Sequence, residues 1–191
     1  HTVRFTAEHH IFRDTLRAFI QKEITPYIDD WENRGEIDRN IWKKMGDMGL
    51  MGLNMPEAYG GVDLDFYYSL ILCEELSSCF SGGFTISALV IQFMSAPYLL
   101  KYGSEGLKAR YLQPVIAGDM VSAVAITEPG AGSDVKQIKT TAVRDGDFYI
   151  VNGSKTFITN GYYGDFFITA VKTSPEQGTK GISLLLMDRN A

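Results

Sequence analysis

The chain has few cysteines and no excess of positive charge. Its 191 residues include two cysteines, and 23 acidic side chains outnumber 18 basic ones, which gives a net charge of −5. Two thiols cannot form a disulfide scaffold, so we expect a reducing compartment. The lack of a basic surface argues against a nucleic-acid partner.

Long apolar runs and metal-binding clusters are also missing. The longest apolar stretch, residues 84–100, is interrupted by polar residues and by Pro97, so we predict no membrane span. His1, His9 and His10 have no cysteine or carboxylate at ligand spacing, so no metal site is predicted. Neither a Gly-x-Ser-x-Gly motif nor an acid–base pair is present. Because the first residue is His rather than Met, we expect the chain to be part of a longer protein.

The chain has an ordinary globular composition, and the spacing of its apolar residues differs between its two halves. Up to residue 118 the apolar residues recur at three and four positions, which predicts five helices packed as a bundle. Thr6, Asp38, Asp65 and Ser104 are the predicted N-caps of four of them. The fourth helix, residues 84–102, is apolar nearly all round and should be buried on most sides.

After residue 118 the pattern becomes that of a β-domain. Six short strands are predicted, with Asp145-Gly146 as the turn of a hairpin. The fold class is therefore α+β: an all-α helical bundle in residues 1–119, followed by an antiparallel β-barrel-like domain in residues 120–191. An open edge after the last strand would be unpaired, so we expect this domain to continue beyond Ala191 or to be covered by another chain.

The first sequence string whose residues could bind a ligand runs from Thr127 to Asp134, between two predicted strands. Gly130 and Gly132 would let backbone N–H groups approach an anion, and Ser133 adds a hydroxyl, so the string could hold a phosphate. A wide β-turn in which Pro and Gly serve only geometry is the equally weighted alternative. Glu128, next to Pro129, is interpreted as structural rather than as a base.

The second string runs from Asn152 to Gly161. If residues 155–159 form a strand, Phe157 and Thr159 share one face and Ile158 lies on the other. An aromatic ring with a nearby hydroxyl suits a planar heterocycle. The alternative is a core Phe beside a surface Thr, which the strand preference of aromatics favours.

Side chains of the helical half receive structural interpretations. Trp31 and Trp42 lie on apolar helical faces and are predicted to be core. Phe66 is predicted to face inward in the third helix. Glu74 and Glu75 are predicted to form its solvated outer face.

Taken in order, these strings resemble those of the acyl-CoA dehydrogenases. The resemblance rests on residues 125–134 (AITEPGAGSD) and 152–161 (NGSKTFITNG), and extends to residues 48–61 and to segments 74–76 and 101–103. It covers the whole chain. Segments 153–155 and 157–159 are most similar to the long-chain branch.

The resemblance implies an FAD-dependent enzyme whose β-domain holds the cofactor. Thr127 would lie at the isoalloxazine edge, Ser133 near the pyrophosphate and the substrate's pantetheine, and the Thr159 hydroxyl beside flavin N5. The implied cofactor-binding residues are Val124, Ala125, Ile126, Thr127, Gly130, Gly132, Ser133, Phe157, Ile158 and Thr159. The implied substrate-binding residues are Ser133, Leu89, Val90, Phe93 and Met94.

By the same resemblance, the reaction would convert an acyl-CoA thioester to its trans-2-enoyl product. The family's catalytic base lies in a C-terminal helical domain, which we expect to be missing here, so no catalytic residue is assigned and the chain alone should be inactive. Expected partners are the acyl-CoA and an electron-transferring flavoprotein or similar acceptor. A homotetramer or homodimer is expected, in the mitochondrial matrix or a bacterial cytoplasm. A flavin oxidase or monooxygenase, or a non-catalytic acyl-CoA or flavin binding module, are the alternatives.

Overall fold

A computed structural model describes residues 5–191, which form two compact units that divide between Met120 and Val121. His1 lies outside the described residues. The helices of the first unit are α1 (Ala7–Glu23), α2 (Ile28–Arg34), α3 (Arg39–Asp47), α4 (Phe66–Ser77), α5 (Gly82–Tyr102) and α6 (residues 105–116).

The predicted N-caps are confirmed. The side chains of Thr6, Asp38, Asp65 and Ser104 each accept a hydrogen bond from a backbone N–H in the first turn of their helix. Such caps satisfy donors that have no partner within the helix. Helix α2 was not predicted, because Pro26 interrupts the apolar pattern that precedes it.

Both α5 and α6 widen into a π-helical segment, and the cause is a proline. Residues Ile91–Ser95 precede Pro97, and residues Lys108–Leu112 precede Pro114. A proline inside a helix lacks an N–H and its ring crowds the carbonyl four residues earlier. Those carbonyls belong to Phe93 and Arg110, which lie inside the two π segments, so the local widening accommodates the rings.

The helical core agrees with most of the predicted apolar stripes. Trp31 and Trp42 are buried as predicted, and each stacks on the Phe84 ring. The predicted faces of α4 are wrong at two positions. Phe66 is 71% exposed at the start of the helix, whereas Glu75 is buried because arginines of α1 pair with it.

Helix α5 is long and apolar enough to cross a membrane when judged by length and composition alone. Half of its most apolar window is buried inside the structure. The core helices of soluble proteins often share these properties, so length and composition are weak evidence that α5 spans a membrane.

The second unit is a five-stranded mixed sheet. Its strands are β1 (Ser122–Ala125), β2 (Thr141–Asp145), β3 (Phe148–Asn152), β4 (Phe166–Lys172) and β5 (Ile182–Asp188). Strand β4 pairs antiparallel with β5 along one edge and parallel with β1 along the other. Strand β2 pairs parallel with β4 at Thr141 and Lys172, and antiparallel with β3.

The predicted antiparallel barrel is therefore wrong, because the sheet is mixed and does not close. The Asp145-Gly146 hairpin is confirmed. The strand predicted at residues 155–159 is absent, and these residues form an irregular segment. Periodicity failed here because hydrogen bonds from side chains, rather than a strand ladder, hold this segment.

Candidate functional site

The first string forms a tight turn directly after β1. Glu128 and Ala131 exchange backbone hydrogen bonds of 2.8 and 3.1 Å across Pro129 and Gly130. Neither Gly130 nor Gly132 has a positive φ, and a Cβ added at either would meet nothing within 4 Å. Packing within this unit therefore does not require glycine at these two positions.

Three backbone donors of this turn remain available. Among residues 5–191, the N–H groups of Gly130, Gly132 and Ser133 have no acceptor. All three residues are exposed. Free N–H groups close together on an exposed glycine-rich turn are suited to an anion such as a phosphate.

Hydrogen bonds attach the second string to the first. The Thr156 N–H donates to the Thr127 carbonyl at 2.9 Å, and the Lys155 ammonium donates to the Ile126 carbonyl at 2.9 Å. At the other end, the buried Asn160 amide donates to the Ser122 carbonyl of β1 at 3.0 Å. Residues 155–160 are therefore fastened at both ends to the chain around β1.

Phe157 lies in the middle of this fastened segment. Its φ is +55°, and its ring is 93% exposed. A positive φ is uncommon for a bulky residue and indicates a backbone that its surroundings impose. The inference that Phe157 and Thr159 share a strand face is wrong, since no strand forms. The alternative of a core Phe is also wrong, and the ring is available to a ligand.

A cleft of about 520 Å³ lies next to this segment. Its size is within the range of small-molecule sites. Residues of β1, β3, β4 and β5 line it together with the 153–162 segment, and the lining is mixed, since it also contains the charged residues Lys155, Asp188 and Arg189. The lining includes Ala125, Val151, Thr156, Phe157, Ile158, Gly161, Tyr162, Phe167, Thr169 and Met187.

Glu128 is the electrostatic centre of the two strings. Its carboxylate is 7% exposed and accepts from the Lys155 ammonium at 2.8 Å, from the Thr140 hydroxyl at 2.6 Å and N–H at 3.0 Å, and from the Lys139 N–H at 2.6 Å. Burial alone would raise the pKa of Glu128, but these donors outweigh it and lower the pKa to about 2. The residue therefore stays ionised at physiological pH.

The remaining predicted cofactor residues have varied surroundings. Val124 lies half-buried in β1, and Ile126 packs against a small core cluster around Ile138. Thr127 contributes its carbonyl to the bond with Thr156. Thr159 is half-buried, and its hydroxyl has no partner within the described part of the chain.

The four predicted acyl-pocket residues all lie on α5 in the helical unit. Val90 is buried, Leu89 and Phe93 are half-buried, and Met94 is 42% exposed. Phe93 and Met94 belong to the π-helical segment. The expectation that α5 is buried on most sides therefore fails at Met94.

Comparison with known proteins identifies the family. The model of the acyl-CoA dehydrogenase N-terminal domain matches residues 6–119, and that of the middle domain matches residues 123–191. The chain belongs to the acyl-CoA dehydrogenase family. Family members are FAD-dependent flavoproteins.

Individual relatives agree with this assignment. The chain is 40% identical over 188 residues to the mitochondrial long-chain specific acyl-CoA dehydrogenase of Sus scrofa, covering 96% of this chain and 43% of the relative. It is 38% identical over 184 residues to the 3-(aryl)acrylate reductase of Clostridium sporogenes, covering 96% and 48%. The crystal structure of an acyl-CoA dehydrogenase from Geobacillus kaustophilus superposes with a TM-score of 0.94 at 44% identity, covering 99% of this chain and 50% of that one. The chain thus spans about half the length of these relatives.

The described residues fit a flavin dinucleotide in two respects. The free N–H groups of Gly130, Gly132 and Ser133 offer donors for a pyrophosphate. Phe157 offers an exposed aromatic face beside a cleft of mixed apolar and polar lining, which suits a planar ring system with polar edges.

Sequence reasoning missed the extent of the Glu128 network and the anchoring by Lys155 and Asn160. The sequence did contain a signal for the pairing of Glu128 with Lys155. Residues 121–133 carry one charge, that of Glu128, and residues 148–164 carry one charge of opposite sign, that of Lys155. Single opposite charges in two otherwise neutral strings are expected to pair when the strings meet, because an unpaired buried charge is costly.

Proposed function

We propose that the whole protein dehydrogenates an acyl-CoA thioester between its α and β carbons, and that the sheet unit binds FAD. The observation that carries this proposal is the joining of two family strings beside one cleft, with an exposed aromatic ring and free backbone donors. When bound, FAD supplies the acceptor for a hydride from the β carbon.

Each string has a distinct role in this proposal. Val124, Ala125, Ile126 and Thr127 line the flavin, and Gly130, Gly132 and Ser133 bind its pyrophosphate, with Ser133 also near the substrate's pantetheine. Phe157 and Ile158 would contact the ring system. The Thr159 hydroxyl would lie beside N5, where it could stabilise developing charge.

The proton acceptor for the α carbon is proposed to lie outside residues 5–191. Glu128 is unsuited to that role because four donors already occupy its carboxylate. Its low pKa also makes it a weak base. We therefore expect residues 1–191 alone to be catalytically inactive.

A straight-chain acyl group of medium to long length is the proposed substrate. Leu89, Val90, Phe93 and Met94 would line the acyl pocket. Each buried methylene contributes about 0.8 kcal/mol, so a long pocket favours chains that fill it. The exposed Met94 leaves apolar surface on α5 for such a ligand.

An electron-transferring flavoprotein or a similar acceptor is proposed to reoxidise the enzyme. The whole protein is proposed to be a homodimer or homotetramer in the mitochondrial matrix or a bacterial cytoplasm. No nucleic-acid partner is proposed, given the net charge of −5.

The test is anaerobic mixing of the whole protein, loaded with FAD, with acyl-CoAs from butyryl-CoA to palmitoyl-CoA. Bleaching of the flavin by the saturated thioesters supports dehydrogenation. In turnover assays with an added artificial electron acceptor, kcat/KM should rise toward the longer chains. A maximum at butyryl-CoA, or a preference for a branched thioester, would refute the long pocket. Absence of bleaching by every thioester would refute the dehydrogenase.

A second candidate is the reverse chemistry, the reduction of an activated carbon–carbon double bond. The similarity to the Clostridium sporogenes 3-(aryl)acrylate reductase favours it. Chemically reduced protein that is reoxidised by an arylacrylate, while saturated acyl-CoAs leave the oxidised protein unchanged, would support this candidate instead. Rapid reoxidation by oxygen alone would point to a flavin oxidase.

A further inference from the structure

The side chain of Lys155 bridges to the first string at two points. Its ammonium donates to the Ile126 carbonyl at 2.9 Å and to the Glu128 carboxylate at 2.8 Å. Both side chains are mostly buried, at 11% and 7% exposure. Because burial leaves little water to compete, this pair constrains its neighbours more than a surface ion pair would.

Glu128 extends the connection to a third segment. Its carboxylate also accepts from the Lys139 N–H and from both the N–H and the hydroxyl of Thr140. Three irregular stretches, around residues 126–128, 139–140 and 155–156, therefore meet at one carboxylate. No strand ladder joins the stretch around Lys155 to the other two. Apart from one backbone hydrogen bond, from the Thr156 N–H to the Thr127 carbonyl, side-chain contacts of Lys155 hold it in place.

Phe157 follows Lys155 by two residues and depends on this connection. With its ring 93% exposed, Phe157 has little packing of its own to hold it in place. Its backbone is fixed before it by Lys155 and Thr156, and after it by Asn160. Loss of the Lys155 contacts would leave the earlier end held by the single backbone hydrogen bond from Thr156 to Thr127.

We propose that Lys155 and Glu128 act together as positioning residues that hold the 156–159 segment against the flavin site. The inference rests on the proposed FAD binding. Neither residue is proposed to touch the reacting atoms, although Lys155 also lines the cleft. Lys155 acts through the backbone of Thr156 and Phe157, and Glu128 acts by holding the Lys155 ammonium.

The test compares Lys155→Met with Lys139→Met in the whole protein. Methionine keeps most of the apolar stem and removes the ammonium. The Lys139 side chain is exposed and has no partner among residues 5–191, while its backbone N–H stays in the network, so Lys139→Met is the matched control. Glu128→Gln, alone and combined with Lys155→Met, tests whether the two residues act as one unit.

Two measurements report separately on how firmly the segment around Thr156 is attached and on FAD binding. Hydrogen exchange of the apo protein should show the Thr156 amide exchanging about tenfold faster in Lys155→Met, as expected for loss of a charged hydrogen-bonding group. The FAD dissociation constant should rise by about tenfold, and the visible circular dichroism of the bound flavin should change. The Lys139→Met protein should match wild type in both measurements, and the double variant should lose no more than the worse single one.

The outcomes are distinct. Unchanged exchange at Thr156 would overturn the inference, as would faster exchange with unchanged FAD affinity and flavin circular dichroism. If wild type binds no FAD, the proposed function fails, and the inference about the flavin site fails with it even if exchange shows the attachment. Far-ultraviolet circular dichroism of each apo variant checks that weakened binding does not reflect global unfolding.

Discussion

Glu75 in the helical unit and Glu128 in the sheet unit are both buried carboxylates that accept hydrogen bonds from cationic side chains. Glu75 accepts from Arg13 at 2.7 Å and from Arg17 at 2.9 Å, which ties α4 to α1. Burial opposes ionisation of Glu75, but the two arginines outweigh it and lower its pKa. Glu128 uses one cation and three other donors to tie irregular segments together.

Glu75 and Glu128 differ in the segments that they connect. Helices α1 and α4 also pack through apolar stripes, with Leu16 and Ile20 on one and Ile71 and Leu76 on the other buried. Glu75 therefore adds to an interface that apolar burial already defines. The stretch around Lys155 has no such stripe, so there hydrogen bonds to Glu128 and to the Ile126 and Thr127 carbonyls determine position. Comparable burial and pairing thus stabilise a core in one unit and shape a site in the other.

The largest expected effect comes from Glu75→Ala. It leaves Arg13 and Arg17 without their shared partner, which should lower the free energy of unfolding of the helical unit by about 3 kcal/mol. Both tryptophans, Trp31 and Trp42, lie in this unit, so urea unfolding followed by tryptophan fluorescence reports on it directly.

The matched control is Glu74→Ala at the neighbouring position. Glu74 pairs with Arg13 at 2.6 Å, but its side chain is about half exposed. Its removal should cost less than about 1 kcal/mol. Equal losses for the two variants would contradict the distinction between buried and exposed pairing, and FAD affinity should not change in either.

Acid should weaken the Glu128 network over a defined pH range. The pKa of Glu128 is lowered from 4.5 to about 2, so its stabilising effect is complete above pH 4.5 and is lost as the pH falls toward 2. The difference in unfolding free energy between wild type and Glu128→Gln should shrink by about 3 kcal/mol across this range. Urea unfolding followed by far-ultraviolet circular dichroism at several pH values measures it. A difference that stays constant down to pH 2 would show that ionised Glu128 does not stabilise the fold.

Gly153 offers a test of close packing in the same network. Its φ is +155°, and an added Cβ would lie 2.3 Å from the Thr140 hydroxyl oxygen. Gly153→Ala should therefore lower the free energy of unfolding by about 2 kcal/mol.

Gly130→Ala is the contrasting substitution, since a Cβ there meets nothing within 4 Å. It should change stability by no more than about 0.5 kcal/mol. It should nevertheless weaken FAD binding if the pyrophosphate approaches this turn closely. A stability loss equal to that of Gly153→Ala would indicate a structural role for the turn glycine.

Sequence patterns predicted the helical unit well because its interactions are local and periodic. Caps such as Asp38 and Asp65 act within three residues, and the apolar stripes repeat with the helical period. The errors arose where a distant partner decided the outcome. Glu75 was assigned to the solvated face because its partners Arg13 and Arg17 are about 60 positions away.

The sheet unit was predicted less well for a related reason. A parallel pair such as β1 with β4 forms between segments far apart in sequence, and strand alternation carries no information about pairing direction. Residues 155–159 have strand-like composition, but Lys155 and Asn160 fix them in another conformation. The candidate site residues were found through family resemblance, whereas their support by Glu128 became visible only in three dimensions.

The smallest expected effect is that of Thr159→Val, which tests the site without touching the network. The Thr159 hydroxyl has no partner among residues 5–191 and is proposed to stabilise charge at flavin N5. A donor of this kind can be worth about 2.7–4 kcal/mol at an oxyanion site, and we expect a smaller effect here. The prediction is flavin reduction about tenfold slower at saturating acyl-CoA, with little change in substrate affinity. Stopped-flow spectroscopy measures the rate, and Thr179→Val, the same substitution at an exposed position outside the cleft, should have less than about a twofold effect. Equal rates for Thr159→Val and wild type would show that the hydroxyl takes no part in hydride transfer. That result would not bear on the positioning role of Lys155 and Glu128, which the exchange and FAD-binding measurements test.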